Sequence, residues 1–146
     1  MLKLISHRGN INGKFVGFEN NPNYIDTALG QGFDVEIDIR YTNDKYYLGH
    51  DTEQYEIDLE WLNERKEKLW IHCKNHQAVE SFYLSDYNYF WHHDDDVTLT
   101  SKGFIWAHPK IKPLKNSIAV IPESNNWDVT DCYGVCSDNI IKWKHS

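Results

Sequence analysis

Residues 33 to 51, Phe-Asp-Val-Glu-Ile-Asp-Ile-Arg-Tyr-Thr-Asn-Asp-Lys-Tyr-Tyr-Leu-Gly-His-Asp, constrain this chain more than any other stretch, because they put charge into a run with the β-propensity of a core strand. From Phe33 to Tyr41 the β-formers Val35, Ile37 and Ile39 alternate with Asp34, Glu36, Asp38 and Arg40. Alternation at period two is a strand with one polar face. Glu36 and Asp38 share that face, their Cα atoms roughly 6 to 7 Å apart. Two such carboxylates repel unless a cation sits between them. Thr42 to Lys45 reads as a tight turn, and Tyr46 to Leu48 as a return strand that delivers His50 and Asp51. Two readings stay open on these residues alone: the wet face of an antiparallel sheet, or a cation site beside a titratable imidazole.

Length bounds the answer to one domain over residues 1 to 146. The formal charge of -7 excludes a sequence-independent nucleic-acid binder, which needs a Lys/Arg-rich face. No run approaches the roughly 18 to 20 apolar residues of a membrane span. Met1 to Ser6 is too short for a signal sequence, so a cytoplasmic location is expected. Cys73, Cys132 and Cys136 are odd in number and lack CxxC spacing, which argues for small buried hydrophobes rather than a disulfide frame or a zinc site.

Along the chain, Leu2 to Ser6 is an apolar strand ending at His7-Arg8-Gly9, an acid/base group and an anion clamp at a strand tip. A turn-rich loop through Glu19-Asn20 leads to a helix over residues 23 to 30. Residues 57 to 68 form an amphipathic helix with charges at i,i+4 spacing. It feeds a strand, residues 69 to 75, in which His72 and Lys74 share a face. A helix over 77 to 84 and a strand over 87 to 91 follow, the latter ending in His92-His93-Asp94-Asp95-Asp96. Beyond residue 97 the helical signal disappears, and short β-rich runs at 97 to 100, 104 to 108, 117 to 121 and 133 to 137 arrive with almost no room for helices between them.

His7-Arg8-Gly9, Glu19-Asn20, Glu36-Ile37-Asp38 and His50-Asp51, in that order, resemble the glycerophosphodiester phosphodiesterase family, relatives of the phosphatidylinositol-specific phospholipases C. The likeness continues at Ile71 to Lys74, where the family has a Glu-x-Lys strand, and more weakly at Tyr133 to Asn139, covering about half the chain. The family implies an α/β fold, a TIM-type (β/α) barrel with its site at the C-terminal ends of the strands. Such barrels need at least roughly 200 residues. The expectation is therefore a minimal, truncated barrel that lacks several outer helices, with a β-rich C-terminal half whose uncovered edges favour a homo-oligomer.

The resemblance implies a metal-dependent phosphodiester hydrolase acting on a glycerophosphodiester-like small molecule or a glycan or lipid headgroup. In it His7 and His50 would be the acid/base pair, Arg8 the phosphate clamp and Lys74 a contact to a non-bridging oxygen. Glu36, Asp38 and Glu19 would bind Ca²⁺ or Mg²⁺. His72 stands where the family has a metal-binding glutamate, so either the preference shifts towards Mn²⁺ or Zn²⁺ or His72 does not ligate and water takes its place; Glu123 offers a substitute carboxylate. Trp91 with His92, Trp106 with His108, and Lys102 lie near later strand ends and would line a substrate pocket; core packing is the commoner use of Trp. Two other readings compete with the enzyme: a catalytically degenerate module that binds phosphate-bearing glycans or lipids, and a sugar-phosphate lyase or isomerase on the same barrel.

Overall fold

The computed structural model describes residues 1 to 144. Its elements in chain order are β1 (Lys3–His7), α1 (Pro22–Gly30), β2 (Asp34–Thr42), β3 (Lys45–Leu48), β4 (Tyr55–Ile57), α2 (Leu59–Arg65), β5 (Leu69–Cys73), α3 (His76–Phe82), β6 (Tyr89–Trp91), β7 (Val97–Leu99), β8 (Ile105–Ala107), β9 (Ile118–Val120) and β10 (Gly134–Ser137). Each helix begins at a residue whose side chain satisfies a free amide of the first turn: Asn21 for α1, Asp58 for α2 and Asn75 for α3. Pro22 then opens α1 with φ already set for a helix.

The strands form one ten-stranded mixed sheet. Parallel pairing runs β6-β5-β2-β1-β10-β9-β8, with β7 antiparallel on β8, and β3 and β4 antiparallel beyond the far half of β2. The sheet is curled. Phe90 of β6 and Trp106 of β8 sit on strands that share no ladder, yet their ring centroids are 4.7 Å apart. Ile5, Trp70, Phe90, Trp106, Ile118, Val120 and Cys136 fill the concave side. On the convex side Val35, Ile37, Ile39, Leu69, Ile71 and Cys73 pack with residues of the three helices, such as Ile25, Leu62, Ala78 and Phe82. Near-complete removal of these side chains from water is the main source of stability.

The expected truncated TIM-type barrel is not what forms. Three α-helices serve ten strands among the described residues, and none follows β6, β7, β8 or β9. Between β6 and β7 there is no ladder, only isolated bonds such as Ser101 N donating to the Tyr89 carbonyl (2.7 Å) and Thr98 Oγ1 to that of Trp91 (2.9 Å). The physical reason lies in the short, proline- and glycine-broken connections after residue 97, which contain Gly103, Pro109, Pro113 and Pro122 and cannot carry a covering helix. A strand over Tyr55–Ile57 was not anticipated; it takes Ile57 from the expected helix into the sheet.

Candidate functional site

The parallel strands all end on one rim of the curl, and that rim carries the polar groups. Period two puts His7, Glu36, Asp38, His72, His92 and Asp138 on the same side as the concave apolar layer, one step above it. His7, Glu36, His72 and His92 line a cleft of about 580 Å³ together with Arg8, Arg40, His50 and Lys74.

At its floor, Asp38 of β2 is in register with His72 of β5. Glu36, Asp38 and His72 each offer a donor atom within 4.8 Å of the others. Glu36 is 1% and Asp38 0% exposed, and Glu36 Oε1 and Asp38 Oδ1 have no hydrogen-bond partner. Burial beside the Asp38 charge pushes the Glu36 carboxyl up to about 8. Asp38 goes the other way: burial opposes it, but the charge of Arg8 and a bond from Asn20 hold it below the usual carboxylate range. His72 Nε2 lies 2.9 Å from the His92 carbonyl, which can only accept, so Nε2 carries the proton and Nδ1 is left with a lone pair. That Nδ1 is 3.4 Å from Asp38 Oδ1 and 3.6 Å from Glu36 Oε2. Burial lowers the His72 pKa and keeps the ring neutral. Two buried carboxylates, each with an oxygen close to a neutral imidazole nitrogen and one of those oxygens, Asp38 Oδ1, without a hydrogen-bond partner, are together with that nitrogen, whose ring is fixed from behind, a donor set that fits a divalent cation.

Arg8 sits beside them in a left-handed conformation, φ 59°. Its backbone is fixed on both sides, N donating to the Glu36 carbonyl (2.9 Å) and O accepting from Asn20 N (3.0 Å). The guanidinium lies between two carboxylates: Nη1 is 3.2 Å from Glu19 Oε1, and Nε is 2.9 Å from Asp38 Oδ2 without the alignment of a hydrogen bond. Asn20 Nδ2 also donates to Asp38 Oδ2 (2.9 Å), and Asp38 N to Asn20 Oδ1 (3.0 Å). Glu19 is thus 7% exposed, tied to Arg8 and to Asn10 Nδ2 (2.8 Å), and outside the Glu36/Asp38/His72 group.

His7 meets Asp138 at the tip of β10, Nδ1 to Oδ1 at 2.7 Å, which leaves Nε2 facing Glu36 Oε1 at 3.8 Å. Burial alone would lower the His7 pKa; the bond to Asp138 and the Glu36 charge outweigh it and raise it. Asn10 steadies Asp138, since its Nδ2 also donates to Asp138 Oδ1 (2.9 Å) while its Oδ1 accepts from Phe15 N and Tyr24 Oη. His50 stands across the cleft on the loop after β3, Nδ1 2.7 Å from Asp51 Oδ1, and burial and Arg8 lower its pKa. Lys74 is positioned by its backbone N, which continues the β2–β5 ladder to the Ile39 carbonyl.

The other expected pocket residues divide. Trp106, 4% exposed, His92 and His108 line the cleft. Trp91 does not: it is on the opposite face of β6 from Phe90 and His92, packs against His76 of α3 (5.1 Å) and is 43% exposed. Lys102 is exposed in the turn between β7 and β8, away from the cleft. Glu123 accepts from Ser137 Oγ (2.5 Å) and belongs neither to the cleft lining nor to the cation group. Asp138, Asn10 and Arg40 were not singled out from sequence. The available signal for Asp138 was its place just past a β-rich run, where the other strands also carry their polar groups.

Among the described residues no helix is long and apolar enough to cross a membrane. No family model, curated protein or solved structure matches this chain.

Proposed function

We propose that this chain is a metal-dependent phosphodiester hydrolase of glycerophosphodiesterase-like chemistry, acting on a small diester. One observation carries the reading. A histidine oriented by a carboxylate, His7 on Asp138, shares a cleft with a second histidine, with Arg8 and Lys74, and with a buried carboxylate pair, Glu36 and Asp38, each of which has an oxygen close to His72 Nδ1 (3.6 and 3.4 Å). Cleaving a phosphodiester needs an acid and a base on opposite sides of phosphorus and positive charge on the non-bridging oxygens, and these residues offer both.

In this reading Glu36, Asp38 and His72 would hold the cation, which supplies charge neutralisation at the phosphoryl oxygens. The nitrogen donor favours Mn²⁺ or Zn²⁺ more than an all-oxygen set would, beside Mg²⁺ and Ca²⁺. Arg8 and Lys74 bind and orient the phosphate. An attacking hydroxyl, from water or from the substrate's own neighbouring alcohol, forms the new P–O bond and gives its proton to one imidazole of the His7/His50 pair. The bond to the departing alcohol breaks, and the other imidazole gives that oxygen a proton. Water yields a phosphomonoester and an alcohol; an internal hydroxyl yields a cyclic phosphate and an alcohol. A cytoplasmic location belongs to the same reading, and the free thiols of Cys73, Cys132 and Cys136 suit a reducing compartment.

The test is product formation from glycerophosphodiesters and methyl 4-nitrophenyl phosphate after chelation and with each divalent cation restored. Metal-restored turnover that falls about 10²-fold or more in His7→Ala and His50→Ala is the expected result. Cation binding with no turnover of any diester would overturn the enzyme and leave a binding module.

A further inference from the structure

His92 and His108 line the cleft, yet the proposed reaction uses neither. Both are tied to the segment that follows β6. His92 is 8% exposed, and its Nε2 donates to the Asp95 carbonyl (2.6 Å), which folds residues 92 to 95 back on themselves. β8 holds the segment from the other side. His108 N donates to the Asp96 carbonyl (2.9 Å), while Lys110 Nζ reaches the Asp94 carbonyl and lies 3.6 Å from Asp96 Oδ1. Residues 92 to 96 are thus a strap across the gap in the sheet, where β6 and β7 share no ladder.

The strap touches one member of the cation group. Its His92 carbonyl accepts from His72 Nε2 (2.9 Å), and Phe90, two residues earlier, stacks on the His72 ring with centroids 4.9 Å apart. The opposite tautomer of His72 has a competing attraction: a proton on Nδ1 would face Asp38 Oδ1 at 3.4 Å and Glu36 Oε2 at 3.6 Å. That proton would occupy the lone pair a cation needs. The carbonyl opposes this by holding the proton on Nε2. We infer that the strap sets which metal the site takes, with His92 and Lys110 as positioning residues that aim the His92 carbonyl at His72 and keep its Nδ1 lone pair in the donor set. This rests on the cation site of the proposed function. With the nitrogen in place the set suits Zn²⁺; without it two carboxylates remain, which suit Mg²⁺.

The experiment measures Zn²⁺ and Mg²⁺ dissociation constants by calorimetry on the chelator-stripped full chain, together with the ¹⁵N shifts of the His72 ring in the metal-free protein. The wild type shows a protonated Nε2 and a bare Nδ1. His92→Ala raises the Zn²⁺ Kd about 10- to 100-fold, leaves that of Mg²⁺ within about twofold and moves the ¹⁵N shifts towards the other tautomer. His92→Asn, whose amide can still donate to Asp95, recovers part of the loss. Lys110→Met, at a side chain 43% exposed, shifts both readouts in the same direction. In a His72→Ala background His92→Ala changes nothing further. Zn²⁺ affinity or ¹⁵N shifts unchanged in both His92→Ala and Lys110→Met overturn the inference. So does a Zn²⁺ loss that persists in the His72→Ala background, because His92 would then be a ligand itself; in both cases Zn²⁺ binding to the wild type still upholds the cation site. A wild type that binds neither cation overturns that site, and the inference with it.

Discussion

The His7–Asp138 pair ties together two strand ends 131 positions apart, and its charge state sets when it stabilises. Burial would raise the Asp138 pKa, but the bond to His7 and its charge hold it below the ordinary range. A depressed carboxylate contributes stability above its unfolded pKa, and that contribution disappears as pH falls through the folded value. The raised His7 behaves oppositely: its contribution is full below the unfolded imidazole value and is lost as pH rises through the folded one. The pair therefore stabilises most between roughly pH 4 and 6.5. Asp138→Asn should cost about 1–3 kcal/mol in urea unfolding at pH 5.5 and less at pH 8.5. A pH-independent loss would show that the contact carries no charge.

At the scale of elements, the loop after β3 matters most, because it carries His50. Arg40 on β2 holds it, Nη2 donating to the His50 carbonyl (2.7 Å) and Nε to that of Gly49 (3.3 Å). Gly49 admits no side chain, since a Cβ there would fall on the Thr52 carbonyl oxygen. Arg40→Met should speed amide exchange across residues 49 to 54 and lower kcat about tenfold, with KM changing less. Arg40→Lys should recover part of the loss, because one ammonium cannot reproduce the two-carbonyl fork. Unchanged exchange with a raised KM would mean that Arg40 contacts the substrate instead.

For the whole molecule, the curled sheet puts a charged rim directly over an aromatic layer of Trp70, Phe90 and Trp106, which keeps Glu36 and Asp38 out of water. That arrangement favours cation binding and destabilises the metal-free protein. Glu36 rises from 4.5 to about 8, so the folded chain holds a proton more tightly than the unfolded one. Stability after chelation should then fall as pH climbs through that window. Glu36→Gln should remove the slope, raise metal-free stability at pH 8 by about 1 kcal/mol, and abolish the stabilisation that Mn²⁺ gives the wild type, about 2.7 kcal/mol of unfolding free energy at a hundredfold excess over Kd. Thermal melts with and without metal decide this: a variant that keeps the Mn²⁺ response places the cation elsewhere.

The sequence alone determined what is local. Period two along residues 34 to 39 separates Val35, Ile37 and Ile39 from Glu36 and Asp38 whatever the rest of the chain does, and Asn21, Asp58 and Asn75 mark their helix starts within a few residues. The same rule already set Trp91 opposite His92, and Trp106 on one face with His108, so grouping Trp91 with the pocket went against local geometry. Only the tertiary structure decided the rest. Which carboxylate meets His7, which nitrogen of His72 is free, and whether the sheet closes depend on strand pairing and curl between distant segments. Those follow from how the whole apolar surface is buried and have no signature in any short window.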